Sequence, residues 1–479
     1  DAVEAIEADI EELDAVVNMA DALAGTNYVH DEIGTNQCFD WGWIEDNRAA
    51  TNEAIKNAPH VTTLELVNNR LVPNAMEPRA STGVYDPGTG DYKLFTTSQN
   101  PHLTRLLISA FVMGIPENKL TVVAPDVGGG FGSKIYHYGE EALVLAAAKR
   151  LGRPVRWVAQ RSESFLTDAH GRDHVTKIEL ACDNDGKFIA FRTETMANVG
   201  AYLSNFSTAT PTFLHGTLMA GNYTVPNVYV NVKAVFTNTA PVDAYRGAGR
   251  PEATYSIERV IDKAARELGM DPIEMRRKNF IKPDQMPYHT QGERMYDTGD
   301  FAGQMDAALL KSGRSDFAVR RAESAENGKF RGFGFATYIE ACAFAGSEEA
   351  RIELNDDGCV TLLIGTQSNG QGHQTAYAQF IAGHLGLDYD KINVIQGDTD
   401  RVKTGDGTGR SRSIPLGAVS VEWAAKSLAE QIKQQASEEL EASVQDLELM
   451  DGVVRVVGTD QQVTLAEIAA KCPVQMYAL

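Results

Sequence analysis

The chain has 479 residues, 43% hydrophobic and 23% charged, an ordinary globular composition with room for roughly two to four domains. Its formal net charge of −21 sets up long-range repulsion against phosphate backbones and anionic membrane surfaces, which excludes nucleic acid as a partner, and no apolar run reaches the ~20 residues needed to cross a bilayer. Five scattered cysteines (Cys38, Cys182, Cys342, Cys359 and Cys472), odd in number and without a CxxC pair, exclude a disulfide framework, a zinc ribbon or an iron–sulfur cluster within this chain.

This cysteine usage makes a reducing cytoplasm the expected compartment; in chain order, the acidic opening "DAVEAIEADIEELDAVV" lacks the cationic start and apolar core of a signal peptide. It reads like the middle of a longer protein. "STGVYD" and "DYKLFTT" flank the turn signal "DPGTGD" and predict a hairpin. The strand "KLTVVAP" leads into the glycine run "DVGGGFGSK", followed by a helix from about Glu140 to Leu151 that Gly152 stops and Pro154 cannot continue. Two alternating runs joined by "DNDGK" predict a second hairpin, "NVYVNVKAVFTNT" a strand, and "PEATYSIERVIDKAARELGM" a helix closed near Gly269. The polar, turn-rich stretch between about 280 and 330 is the expected domain boundary. Beyond it come a hairpin in "ARIELNDDGCVTLLIG", a helix ending at Gly386, the strand "KINVIQGDT", a long helix starting near Gly417, and a capping box, Thr464 with Glu467, near the end. After that box no closing element is evident. Interleaved strands, helices and hairpins predict an α+β fold with mixed sheets.

Five stretches could carry chemistry. The glycine run fails the P-loop pattern, because Ser133 and not glycine precedes Lys134, and it fails GxGxxG spacing as well. What remains is a row of backbone N–H groups expected at the start of a helical region, with Phe131 beside them; a tight strand-to-helix turn would look the same. Gln99 in "TSQNPH" offers an amide donor and acceptor. Arg246 in "DAYRGAGRPEA" stands among small residues that leave its fork open to a carboxylate, a phosphate or a developing oxyanion, although a structural ion pair is the commoner use. "GTQSNGQGHQT" places Gln367, Gln371, His373 and Thr375 among glycines before a helix, a setting for a polar heterocycle or phosphate. "GTGRSRS" supplies Thr408, Ser411, Arg412 and Ser413 from a polar loop. No HxH or HExxH spacing supports a protein-held metal.

In order and spacing these five stretches resemble the molybdenum-binding large subunit of the molybdenum hydroxylases, the xanthine dehydrogenase and aldehyde oxidase family, with the bacterial version filed with carbon monoxide dehydrogenase large chains most similar. "NNRLVPNAMEPRA", "ERVIDKAARELGMDPIEMRRKNFI", "PYHTQGERMYDTGDF" and "RGFGFATYIE" agree. The resemblance implies two mixed-sheet molybdopterin-binding domains of the xanthine dehydrogenase large-subunit type, at 26–290 and 291–479, after a remnant of a preceding domain at 1–25. It implies molybdopterin, in its cytosine dinucleotide form, with molybdenum held by the dithiolene and by no protein side chain. Iron–sulfur clusters and FAD would sit on partner subunits, and the assembly would be a dimer of heterotrimers acting on a small-molecule substrate. Carried over by position, Gln99 would hydrogen-bond an oxo ligand, Phe131 would shape the substrate pocket and Arg246 would orient substrate. Gly129, Gly130, Phe131, Gly132, Gln371, Gly372, His373, Thr375, Ser411, Arg412 and Ser413 would hold the cofactor.

Two departures qualify the resemblance. Copper-containing carbon monoxide dehydrogenases carry a copper-binding cysteine directly after the arginine, where this chain has Gly247, so no soft ligand for copper is evident. The family's Gly-Glu motif, whose glutamate serves as general base, has no match between "GTGRSRS" and Leu479. The expectations are therefore a truncated catalytic chain, with a copper-free carbon monoxide oxidiser and a scaffold without its base as alternatives. Arg410 occupies a position that is usually small in the family.

Overall fold

The computed structural model describes residues 3–25, 27–343, 346–471 and 475–478. Cys472 lies outside them. The chain forms two compact units, one of residues 1–72 with 169–340 and one of 73–168 with 341–479. This spatial division differs from the contiguous ranges 26–290 and 291–479, which remain a division along the sequence.

The first unit is built on a five-stranded sheet in the order Gln37–Trp43, Asn227–Phe236, Phe188–Gly200, His174–Cys182, His60–Asn68. The central pair, Phe188–Gly200 with Asn227–Phe236, is parallel and the other pairs are antiparallel. The expected "DNDGK" hairpin is present: Asp183 accepts the Asp185 and Lys187 N–H groups with its carboxylate, and Gly186 has φ 77°, the left-handed turn conformation that glycine takes without strain. The helix Arg250–Glu267 packs on the strands His60–Asn68 and His174–Cys182. The polar stretch after residue 280 contains two helices that the sequence reading lacked, Phe301–Lys311 and Phe317–Glu326. The first buries only Phe301 and Met305 and the second buries nothing, so neither carries the apolar stripe that announces a helix.

In the second unit a four-stranded sheet runs Leu120–Val123, Tyr92–Thr96, Ala80–Tyr85, Val155–Val158, and the expected hairpin at residues 80–96 forms its centre. The helix Gly139–Leu151 lies so close to it that a Cβ on Gly83 would fall 2.5 Å from the Val144 carbonyl oxygen; Gly152, at φ 63°, ends this helix as the sequence predicts. A second sheet runs Ile392–Ile395, Val360–Ile364, Ala350–Leu354, Gln475–Ala478. The last strand supplies a closing element after the Thr464–Glu467 box, which forms with Glu467 accepting the Thr464 N–H at 2.9 Å. The helices His373–Leu385 and Val419–Leu440 cover this sheet with a core that includes Ile352, Leu362, Tyr377, Ile381, Val421 and Leu428. The long helix opens with a wider turn over Ser413–Ala418. Within this unit the two sheets are stitched together where Ala124 N–H donates to Gly397 at 2.7 Å and Thr399 N–H to Val122 at 3.0 Å.

Candidate cofactor-binding site

Both glycine-rich stretches and the Thr408–Ser413 loop belong to the second unit. The strand Leu120–Val123 delivers the glycine run, and Gln367 fastens the entrance by donating from Nε2 to the carbonyls of Ala124 and Pro125 at 3.2 and 3.3 Å. Gly129 (φ 96°), Phe131 (φ 54°) and Gly132 (φ 109°) all turn left-handed. For Phe131 this is a strained conformation that the surroundings must impose; the residue is 45% exposed. The run is not the N-terminus of a helix, as the sequence suggested. Residues 133–138 intervene before Gly139, and they close a turn of their own: Ser133 Oγ donates to Gly130 O at 3.0 Å and Tyr138 Oη to Ser133 O at 2.6 Å.

Gln99 joins three segments. Its Oε1 accepts the N–H groups of Gly132 and Lys134 at 2.9 and 3.3 Å, and its Nε2 donates to Thr408 O at 3.1 Å. Its main chain does the same, with Gln99 N–H to Lys134 O at 2.7 Å and Thr408 N–H to Gln99 O at 2.9 Å. The glycines permit this closeness, since a Cβ on Gly130 would fall 2.3 Å from Gln99 Oε1 and one on Gly407 would fall 2.2 Å from Gln99 O. Amide nitrogen carries two hydrogens, so one stays available after the bond to Thr408.

Thr408 passes the network on. Its hydroxyl bonds Ser413 Oγ at 2.7 Å and accepts from Gln371 Nε2 at 3.4 Å, while Tyr377 Oη donates to Ser413 O at 2.8 Å. Arg410 and Ser411 are left-handed at φ 54° and 51°. Arg412 is turned inward against buried Glu348 and the Gly407 carbonyl, so it braces the loop. Burial outweighs this pairing for Glu348, whose carboxyl is pushed up to about 7. His373 opens the helix His373–Leu385 and is buried, its pKa lowered by desolvation. Gly370 and Gly372 face open space, and among the described residues Asn369 Oδ1 and His373 Nδ1 are buried polar atoms with no hydrogen-bond partner. Thr375 is exposed. Buried polar atoms are normally satisfied; these two, next to the N–H groups of a 13-residue helix whose cap residue Gly372 offers no side chain, form a donor and acceptor set suited to a phosphate-linked heterocycle. The residues present therefore fit a pterin cofactor.

Arg246 belongs to the first unit. Its turn is held by Arg172, which donates to the carbonyls of Tyr245 and Arg246 at 2.8 Å each and pairs with Glu252 at 3.3 Å. Gly247 has φ 104°, and a Cβ there would fall 2.4 Å from Pro251 Cγ. The side chain of Arg246 is exposed. Sequence reasoning missed Glu77, Glu348 and Tyr377 as supports of the site. Their partners lie far along the chain, so no local pattern announces them.

Comparison with known proteins places the chain. Family models described as "Molybdopterin cofactor-binding domain" match residues 29–280 and 310–478. The chain belongs to this family, that of the molybdopterin-binding large subunits of molybdenum hydroxylases. It is 35% identical, over 98% of its length, to 62% of the carbon monoxide dehydrogenase large chain of Hydrogenophaga pseudoflava. It is 31% identical, over 98% of its length, to 59% of the 6-hydroxypseudooxynicotine dehydrogenase complex subunit gamma of Paenarthrobacter nicotinovorans. Among solved structures, quinoline 2-oxidoreductase from Pseudomonas putida 86 superposes with a TM-score of 0.90 at 29% identity, covering 100% of this chain and 64% of that one. The chain thus spans about three fifths of these relatives' length. Among the described residues no group of three or more His, Cys, Asp or Glu side chains could hold a metal, and no helix is long and apolar enough to cross a membrane.

Proposed function

We propose that this chain is the molybdopterin-binding part of the catalytic large subunit of a molybdenum hydroxylase that oxidises an aldehyde, an N-heterocycle or a similar small molecule. The observation that carries the reading is the single hydrogen-bonded network linking Gln99, Thr408, Ser413 and Gln371, which joins Gln99 to a loop 309 positions further along and that loop to Gln371, 37 positions before Thr408. The chemistry the cofactor supplies when bound is two-electron oxidation of a carbon centre with oxygen drawn from water. The chain's own residues do the rest. Backbone N–H groups at residues 373–375, with Asn369 and His373, bind the polar end of the cofactor in its cytosine dinucleotide form, and the Ser411–Ser413 loop encloses it. The Gln99 amide would lie beside the bound cofactor, with its second Nε2 hydrogen able to donate to the cofactor's polar edge. Phe131 walls the pocket and excludes water, while Arg246 orients substrate and stabilises developing negative charge. The general base on this reading is a glutamate of the family's Gly-Glu motif, for which the sequence has no match between the Ser411–Ser413 loop and Leu479. Electrons pass to iron–sulfur and FAD-bearing partner subunits in a cytoplasmic dimer of heterotrimers, and the ranges 26–290 and 291–479 are its two molybdopterin-binding domains.

The test is elemental and pterin analysis of the full-length holoprotein from a cofactor-competent host. Near-stoichiometric molybdenum, with cytidine monophosphate released by acid hydrolysis, is expected; molybdenum near zero sinks the reading. The 35% identity to a carbon monoxide dehydrogenase large chain favours a second reading, carbon monoxide oxidation. The φ of 104° at Gly247 and the closeness of Pro251 leave no room for a side chain where the copper form has its thiolate, so no carbon monoxide-dependent dye reduction is expected.

A further inference from the structure

Lys134 follows the serine at which the P-loop pattern breaks, and cofactor binding gives its side chain no task. That side chain is 1% exposed, and a buried ammonium is costly unless paired and hydrogen-bonded. Here it is both. Nζ donates to the Glu77 main-chain oxygen at 2.8 Å and to Glu77 Oε2 at 3.0 Å. The same Oε2 accepts the Gly128 N–H at 2.7 Å, and Glu77 N–H donates to Gly128 O at 3.1 Å. One carboxylate oxygen therefore grips the first glycine of the run and the lysine that ends it. Glu77 is itself anchored, because Arg161 holds the carbonyls of Ala75 and Met76 just before it at 2.5 and 2.9 Å. Between the two gripped ends lie the left-handed Gly129, Phe131 and Gly132. At the far end the Lys134 main chain meets Gln99 on both sides, its N–H on Oε1 at 3.3 Å and its carbonyl receiving Gln99 N–H at 2.7 Å.

We infer that Glu77 and Lys134 are positioning residues: their ion pair clasps both ends of residues 128–134 and so fixes the Gln99 amide and the Phe131 ring toward the cofactor. The inference rests on the reading that this loop lines the cofactor site. A lysine suits the task because its compact ammonium can serve two acceptors of one residue at once. Glu77 faces the solvent side of the pair, at 35% side-chain exposure, so its replacement disturbs the core least.

The test uses the full-length holoprotein and the variants Glu77→Gln, which keeps an acceptor for Gly128 N–H, Lys134→Met, which keeps the shape, and Gln99→Ala. Hydrogen exchange of residues 128–134 is expected to quicken about tenfold or more in both clasp variants while the sheet cores exchange as before. The electron paramagnetic resonance signal of the partly reduced molybdenum is expected to shift with it, a change that loss of global stability alone would not produce. Exchange within about twofold of wild type, or lower stability with an unaltered signal, overturns the inference. If Lys134→Met does not fold, Glu77→Gln decides by the same readouts. A Gln99→Ala protein whose molybdenum content and signal match wild type overturns the cofactor reading instead, whatever the clasp variants show.

Discussion

A methyl group on Gly130 has no space, because its carbon would sit 2.3 Å from Gln99 Oε1. Gly130→Ala must push the Gln99 amide off the Gly132 and Lys134 N–H groups, an overpacking cost of about 1–3 kcal/mol, and both a lower urea midpoint and a reduced molybdenum content are expected. Gly247→Cys should fail to recreate a copper site: the new Cβ meets Pro251 at 2.4 Å in a left-handed backbone, so a loss of about 1–3 kcal/mol and no retained copper by elemental analysis are the expected results. At this scale the sequence revealed which residues carry chemistry and concealed how they are held. Gln99 was legible as an amide able to donate and accept. Its use as a joint was not, because Thr408 lies 309 positions away. Arg412 was legible as a charge, whereas only the fold shows Glu348 drawing it inward.

At the scale of elements, the helix Gly139–Leu151 hides a titration. Glu141 is buried, accepts Tyr138 N–H at 2.9 Å and Thr96 Oγ1 at 2.7 Å, and has its carboxyl pushed up from 4.5 to about 7 by desolvation. Because the folded pKa exceeds the unfolded one, the folded chain holds a proton that the unfolded chain has released between these values. The contribution of Glu141 to stability is therefore full below about pH 4.5 and is lost as pH rises to about 7. Glu141→Gln removes this dependence. Denaturation midpoints measured from pH 5 to pH 8 should show the variant gaining on wild type up to about pH 7 and level beyond it, by on the order of 2–3 kcal/mol at most. Elements with a strong apolar period or a sharp stop, such as the helices ended by Gly152 and Gly386, could be read from the sequence. The helix Phe317–Glu326 could not, because it buries no residue.

For the whole molecule, turn signals such as "DPGTGD" and "DNDGK" made the α+β class with mixed sheets legible. The discontinuous make-up of the two units was not, since composition reports only on neighbours along the chain. Protein expressed in a host that makes no molybdopterin should show where binding energy is used: hydrogen exchange of residues 367–376 and 407–413 should run about tenfold or more faster than in the loaded protein, with the strands of the Ile352 and Leu362 core unchanged. The joint at Gln99 also sets an order of events during biosynthesis. Thr408 leaves the ribosome 309 residues after Gln99, a delay of roughly 15–60 s at ordinary elongation rates. Until then the glycine run lacks one of the segments that shape it, so Gln99 and residues 128–134 take their final arrangement only after residue 408 has been made.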